Sequence, residues 1–561
     1  MKDTLKNVVN NALKSLELPV EDFVIEHPAL MSHGDYATNV ALVVAKEVGQ
    51  NPRELAEKIM KEVVLQDLPE INQVSIAGPG FINFTLSRTF FTKQIKLINT
   101  IDGEWGKNGA YLGKKVLVEY TDPNPFKEFH IGHMFTNIVG ESLSRLFVMA
   151  GADVKRLNYQ GDVGMHVASA IWGMQQMGLT ADSQFGPREL GEAYAKGATA
   201  AKNNESAKQD ITTLNKKIYD RSDEAVNQLY DKGRAVSLEY FEDMYAILGT
   251  KFDHYFFESE AGPKGQDLVL AHPEVFVDSD GAKIFPGEQH GLHTRVFINR
   301  EGLPTYEAKE LALAEMKEDE CGTHDLSVVS TANEINEYFK VLLKAMSLIH
   351  PDLAQKTEHI GHGMVRLTSG KMSSRTGDVI PARDFIDSIK LVALNKVEES
   401  GREVDEQTAK MVAMGAIKYE TLRGSIFQDS VFDEGNALSF EGNSGPYLQY
   451  TYARIQSVKE KAEKEGVATG LEVIPKDIYD VERVLYRFPE VVEEALVDRS
   501  PHKVAVFLTE LASEFNAFYS HEKIADVGDE LASYKLALSD AVAETLKTGL
   551  WILGIDAPER M

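Results

Sequence analysis

The chain has 561 residues, 43% of them hydrophobic, and a formal net charge of −27 at pH 7. That length exceeds what one hydrophobic core fills and implies roughly three or four domains. The absence of any run approaching a membrane span argues against a membrane protein, the single cysteine, Cys321, excludes a disulfide framework or a cysteine-rich zinc module, and the acidity argues against tight nonspecific nucleic-acid binding while leaving room for a local basic track.

The N-terminus, Met1-Lys2-Asp3-Thr4, opens an amphipathic segment rather than a signal peptide, which with the lone cysteine predicts a reducing, cytoplasmic setting. Leu5, Val8, Val9, Leu13 and Leu16 follow helical spacing. The segment His33 to Asn39 reads as a turn into an apolar helix, Val40 to Val48, and Pro52 begins another helix. Val74 to Phe84 reads as two strands around Pro79-Gly80. Residues 1 to about 110 are therefore expected to form an α+β unit without a catalytic constellation.

From residue 111 the pattern becomes strand, helix, strand. Lys114 to Tyr120 is a Val/Leu-rich run, Met134 to Met149 has helical spacing up to Gly151, and Lys155 to Tyr159 is a second strand. This is a βαβ unit and predicts a parallel sheet. The turn between strand and helix is Pro123-Asn124-Pro125-Phe126-Lys127-Glu128-Phe129-His130-Ile131-Gly132-His133. A strand-to-helix turn gathers backbone N–H groups and the helix dipole around an anion, and two imidazoles can lie along a polyphosphate. A Cβ at Gly132 would hold a base or ribose off the backbone. The competing readings are a metal pair, although His-x-x-His without a third ligand is a poor zinc site, or two ordinary loop histidines.

Residues 180 to 250 are polar and helical in period, an insertion into the sheet. Strands return at Ala282 to Phe285, Thr294 to Ile298 and Val328 to Ser330, followed by a helix from Ile335 to Ile349. Gly370-Lys371-Met372-Ser373-Ser374-Arg375-Thr376-Gly377 is a Gly-flanked loop whose cations and hydroxyls suit β- and γ-phosphates. Beyond about residue 385 the chain is almost wholly helical by period.

In this order, the turn at His130 and the loop at Lys371 resemble the HIGH and KMSKS signatures of class I aminoacyl-tRNA synthetases. The resemblance narrows to the arginyl-tRNA synthetases. Four pieces carry it: His33 to Ala41 with Gly78 to Asn83, Glu119 to His133, Phe440 to Tyr450 with Ala453-Arg454, and the ending Leu553 to Met561. It implies an α/β multidomain fold. Residues 1–110 would be an additional α+β domain that contacts tRNA. Residues 111–384 would be a Rossmann-like catalytic domain with its insertion at about 180–250, and residues 385–561 a helical linker and all-α anticodon-binding domain.

The resemblance also implies roles. Glu119 and Asn124 would receive the arginine head group. Glu258, Tyr306 and Glu310 would face the guanidinium, which suits bidentate carboxylates, and Asn333 would sit where the family has an amide. Glu310 departs from the family Asp and lengthens the arm. ATP would lie against Asn124, Pro125, His130, Gly132 and His133, and against Lys371, Met372, Ser373 and Ser374. Ser374 stands where the second loop lysine is usual. Lys127, three residues before His130, would supply the missing cation and act with His130, His133, Lys371 and Arg375 on the phosphates. Tyr447, Tyr450 and Arg454 would contact tRNA. The expected partners are tRNA(Arg), L-arginine and ATP with Mg²⁺, with no metal site of the protein's own, no membrane and a monomeric chain. Family members tend to need tRNA before the adenylate forms, and the 2′-hydroxyl of its terminal adenosine would accept arginine.

Other classes fit less well. A cysteinyl enzyme would need zinc-binding cysteines and a glutamyl enzyme a basic pocket. A small nucleotidylyltransferase also has a His-x-Gly-His turn but no need of the long helical C-terminal region. A synthetase-like tRNA-binding regulator would not be expected to keep Lys127, His130, His133 and Lys371.

Overall fold

A computed structural model describes residues 1–20, 22–63, 68–101, 103–367, 380–399 and 406–561. The N-terminal unit packs the helices Lys2–Ser15, Val40–Val48, Pro52–Glu62 and Arg88–Ile98 on a four-stranded antiparallel sheet. Leu5, Val9 and Leu13 fill its core with Val40, Val44, Ile82 and Phe84. Ile71–Ala77 and Phe81–Leu86 form the expected hairpin, with Ala77 opposite Phe81.

The segment 33–39 is more than a turn, because Tyr36–Thr38 is a strand paired with Phe81–Leu86. Gly34, at φ 102°, admits this pairing, since a Cβ there would lie 2.8 Å from the Phe84 carbonyl oxygen. Asp35 then accepts from the Leu86 N–H at 2.7 Å and pairs with Arg483 at 2.6 Å, which anchors the unit to the C-terminal helices.

The central sheet has five parallel strands in the order Thr357–His362, Leu326–Ala332, Lys115–Glu119, Asp153–Gln160, His254–Phe257. Both faces are covered, so Val116, Leu117 and Val118 are fully buried, which is why this strand reads as a continuous apolar run rather than an alternation. From Lys115–Glu119 the chain builds outward first through Asp153–Gln160 and later, in the other direction, through Leu326–Ala332. The sheet therefore reverses its order between Lys115–Glu119 and Leu326–Ala332, and ligands of open α/β sheets bind at the strand ends beside such a reversal.

Two of these strands, His254–Phe257 and Thr357–His362, carry no signal that periodicity picks out. The Ala282–Phe285 and Arg295–Ile298 strands belong instead to a separate antiparallel sheet with Val277–Ser279. The insertion consists of Pro187–Asn203, Glu205–Asp220 and Glu224–Leu248.

The C-terminal helices share a continuous core with the catalytic sheet. Ser142 Oγ and Arg145 Nη1, on the helix after the His130 turn, donate to the Ile552 and Trp551 carbonyls at 2.9 and 2.6 Å. This region is not wholly helical, since Ser430–Phe432 pairs in parallel with Val365–Leu367. No described helix is long and apolar enough to cross a membrane.

Candidate active site

The sequence between the first sheet strand and its helix folds into a strained turn. Thr121, Asp122 and Phe126 have φ of 82°, 44° and 67°, a region L-residues rarely occupy. Hydrogen bonds hold each in place. Thr121 Oγ1 accepts from Asn137 at 3.0 Å, Asp122 Oδ1 accepts from the Tyr159 N–H at 2.8 Å, and the Phe126 N–H donates to Ser237 Oγ at 2.9 Å. Strain of this kind persists only where the surroundings over-determine it, and it clusters at functional sites.

His130 caps the helix Ile131–Met149 with its own ring. Its Nδ1 accepts from the N–H groups of Gly132 (3.1 Å) and His133 (3.4 Å), while His133 Nδ1 accepts from the His130 N–H at 3.4 Å. The rings stack with centroids 3.7 Å apart. This corrects one expectation. The Gly132 and His133 amides are satisfied by imidazole and do not form an anion cradle. A Cβ at Gly132 would also lie 2.9 Å from the His130 ring, so the capping itself requires a glycine there. With each Nδ1 accepting, the ring proton sits on Nε2, so both histidines are donors through Nε2. Burial, then the Lys127 charge, pushes His130 down to about 4, and burial with the His130 and Lys127 charges pushes His133 well below the usual range, so both are neutral donors near pH 7.

Lys127 is half-buried in this turn with its Nζ 4.6 Å from the centre of the Tyr194 ring. Burial pushes it down to about 8. Pro125 is buried beside it. Lys371, Met372, Ser373, Ser374 and Arg375 lie outside the described residues. The chain that follows them is fixed to the turn: the Ile131 N–H donates to the Ile380 carbonyl at 3.2 Å and the Ala382 N–H to the Phe129 carbonyl at 2.8 Å.

At the sheet reversal lies a cavity of about 460 Å³. Glu119, Asn124, Glu258, Tyr306 and Glu310, all singled out from sequence, line it together. Gly161 makes this possible, because a Cβ there would sit 2.5 Å from Asn124 Oδ1 and 3.2 Å from Glu258 Oε1. Asn333, half-buried in the short turn Asn333–Ile335, is not among the lining residues, which include its neighbours Glu334 and Ile335.

The lining also includes Tyr159, at the end of an expected strand, and Asp122, Arg295, Glu307 and Tyr338, which sequence reasoning passed over. Lys309 Nζ lies 2.6 Å from Glu258, Lys317 Nζ 2.9 Å from Glu119, and Arg295 Nη1 3.1 Å from Glu307. Six lining carboxyl side chains thus face three cations and leave the cavity acidic. Burial and the Glu119 charge push Glu310 up to about 8 and hold Asp122 well above the carboxylate range. Burial also raises Glu258, against the opposing pull of Lys309. The helix Tyr306–Cys321 buries Glu307, Lys309 and Lys317 together, which is tolerated because each is paired, and no local sequence signal marks that burial.

Tyr447, Tyr450 and Arg454, none of which lines this cavity, share one face of the helix Gly445–Glu465. The Arg454 guanidinium lies 4.8 Å from the Tyr450 ring and 5.3 Å from the Tyr519 ring and donates to Asn516, whose amide donates to the Tyr447 hydroxyl at 3.0 Å.

Three family models match consecutive stretches of the chain. They are described as class I (R) tRNA synthetase catalytic domain (residues 100–434), DALR anticodon-binding domain (448–561) and arginyl-tRNA synthetase N-terminal domain (3–86). An arginine–tRNA ligase of Clostridium acetobutylicum is 29% identical over 570 residues, covering 100% of both chains. One from Oenococcus oeni is 29% identical over 99% of this chain and 98% of its own. Among solved structures, the arginyl-tRNA synthetase of Thermus thermophilus superposes with a TM-score of 0.82 at 23% identity, covering 100% of both chains. That of Plasmodium falciparum superposes at 0.77 and 20% identity, covering 100% of this chain and 99% of its own.

Proposed function

Because the chain belongs to the class I arginyl-tRNA synthetase family, we propose that the acidic cavity is its arginine pocket and the His130 turn its ATP site. The family reaction is aminoacylation of tRNA(Arg). L-Arginine and ATP give arginyl-adenylate and pyrophosphate, and arginine then passes to the 3′-terminal adenosine with release of AMP. The observation that carries the residue assignment is the cavity itself, in which Glu119, Asn124, Glu258, Tyr306 and Glu310 converge beside the signature turn.

In the first step an oxygen of the arginine carboxylate attacks the α-phosphorus and the bond to pyrophosphate breaks. No side-chain nucleophile is required; positioning and charge stabilisation do the work. ATP enters as its Mg²⁺ complex, whose ion offsets charge on the departing pyrophosphate. His130 and His133 donate Nε2–H to phosphate and ribose, and Asn124, Pro125 and Gly132 shape that wall. Lys127 supplies a cation to the leaving group, joined by Lys371 and Arg375, with Met372, Ser373 and Ser374 completing the loop. Glu119 and Asn124 take the arginine head group, Glu258, Tyr306 and Glu310 the guanidinium, and Asn333 lies at the rim.

Residues 1–110 and 385–561 flank the catalytic unit 111–384 and bring tRNA to it, with Tyr447, Tyr450 and Arg454 on the anticodon side. Acceptance at the 2′-hydroxyl and a requirement for tRNA before activation belong to the same proposal. A monomeric chain working in the cytoplasm belongs to the same proposal.

Citrulline, the uncharged isostere of arginine, tests the pocket. ATP–pyrophosphate exchange with arginine and none with citrulline is the expected result; equal exchange would rule out a guanidinium site built on carboxylates.

A further inference from the structure

The helical insertion packs against the signature turn at several side chains, among them Ser237, which accepts the Phe126 N–H. Its first helix, Pro187–Asn203, comes close enough that a Cβ on Gly191 would lie 2.9 Å from Glu128 Cγ. One turn along, the Tyr194 ring faces the Lys127 ammonium at 4.6 Å. The cavity lysines nearby are neutralised, Lys309 by Glu258 and Lys317 by Glu119. The Lys127 ammonium differs: among the described residues it forms no ion pair and no hydrogen bond.

An aromatic face attracts a cation through its quadrupole but brings no net charge. It can therefore hold a partly desolvated ammonium in place while leaving its positive field intact, which a carboxylate cannot. Burial lowers the affinity of Lys127 for its proton and the Glu258 charge, without a direct ion pair, opposes that loss; the ring acts in the same direction as Glu258. We infer that Tyr194 is a positioning residue for adenylate formation, holding Lys127 beside His130 without a direct ion pair so that its charge is available to the leaving pyrophosphate. The insertion then serves the chemistry as well as the packing. This inference rests on the reading that Lys127 acts on the phosphates, and the test separates the two.

The measurement is arginine-dependent ATP–pyrophosphate exchange by the full-length protein with tRNA(Arg) present, at saturating ATP and over a range of arginine concentrations. Lys127→Ala is expected to slow exchange by about two orders of magnitude. Tyr194→Leu should slow it roughly tenfold with the arginine KM unchanged, and Tyr194→Phe, which keeps the ring, should restore most of the rate. The double variant Lys127→Ala/Tyr194→Leu should be no slower than Lys127→Ala, because both act through one ammonium. Wild-type exchange in Tyr194→Leu, equal loss in Tyr194→Phe, a raised arginine KM, or multiplicative loss in the double variant would each overturn the inference while Lys127→Ala remains slow. Wild-type exchange in Lys127→Ala would overturn the reading beneath it.

Discussion

Lys309 Nζ lies 2.6 Å from Glu258 Oε2, and both side chains are only 5% exposed. The acid assigned to the substrate guanidinium is already held by an internal cation. On the proposed assignment, arginine would join or displace an existing ion pair instead of meeting a bare carboxylate. Removing one member of a buried pair leaves the other uncompensated, at a cost of about 3 kcal/mol or more. Glu258→Gln is predicted to raise the arginine KM at least tenfold, on the order expected for such a pair, without changing the ATP KM. Initial-rate kinetics in both substrates check this; a parallel rise in the two constants would place Glu258 in the fold and not in the pocket.

Glu310 gives the pocket a pH dependence. Burial and the Glu119 charge raise it from 4.5 to about 8, so the free pocket holds a neutral carboxyl at pH 7. Its ionised form binds guanidinium better, so the arginine KM should fall as pH rises through 8. The stability effect of this group has the opposite sign. Between pH 4.5 and 8 the unfolded chain loses this proton and the folded chain keeps it, so Glu310 costs the ligand-free fold stability as pH rises through that window. Glu310→Gln should flatten the KM profile. A profile as steep in the variant as in the wild type would exclude Glu310 as its source.

Glu490 governs the junction of the N-terminal unit with the C-terminal helices. It accepts from Tyr36 at 2.7 Å and pairs with His27 at 3.0 Å and Lys2 at 3.3 Å. Although burial opposes ionisation, these partners hold it at about 2, below its ordinary 4.5. A depressed carboxyl contributes stability above its unfolded value and loses it as pH falls, here from about 4.5 to 2, a term of about 3 kcal/mol. Hydrogen exchange in Tyr36–Thr38 should accelerate across that window, and Glu490→Gln should remove this part of the acceleration.

Arg454 is predicted to serve tRNA and not arginine. Arg454→Ala should raise the tRNA KM about tenfold, as loss of a stacked cation does at a single-stranded base, with arginine exchange at saturating tRNA retained. Binding should also weaken steeply with salt. Filter binding over a salt series measures both, and a flat salt response would contradict a phosphate-tracking surface on this acidic chain.

Much of this was legible in the sequence because it depends on local pattern. The apolar run at Lys115–Glu119, the helix after His130 and the converging Glu119, Asn124, Glu258, Tyr306 and Glu310 follow from spacing and from family resemblance. What escaped depends on tertiary context. The tetrapeptide His-Ile-Gly-His occurs twice, at 130–133 and at 359–362. The first caps a helix and stacks its rings. The second is the end of a strand, where residues three apart face opposite sides of the sheet. There His359 stacks on Phe339 at 3.8 Å, while His362 Nε2 lies 3.0 Å from Thr136 Oγ1. No local property of four identical residues separates these outcomes. The buried cations Lys309 and Lys317 were illegible for a related reason: a charged residue on a helix is ordinarily solvated, and only the opposing acids make burial tolerable.

The central claim is tRNA-assisted activation of arginine by ATP in this pocket. It is tested most directly by ATP–pyrophosphate exchange across all the standard amino acids, with and without tRNA(Arg). Exchange with arginine alone, and only when tRNA is present, is the predicted result. Exchange with arginine in the absence of tRNA would contradict the gating, and silence with every amino acid would contradict the claim itself.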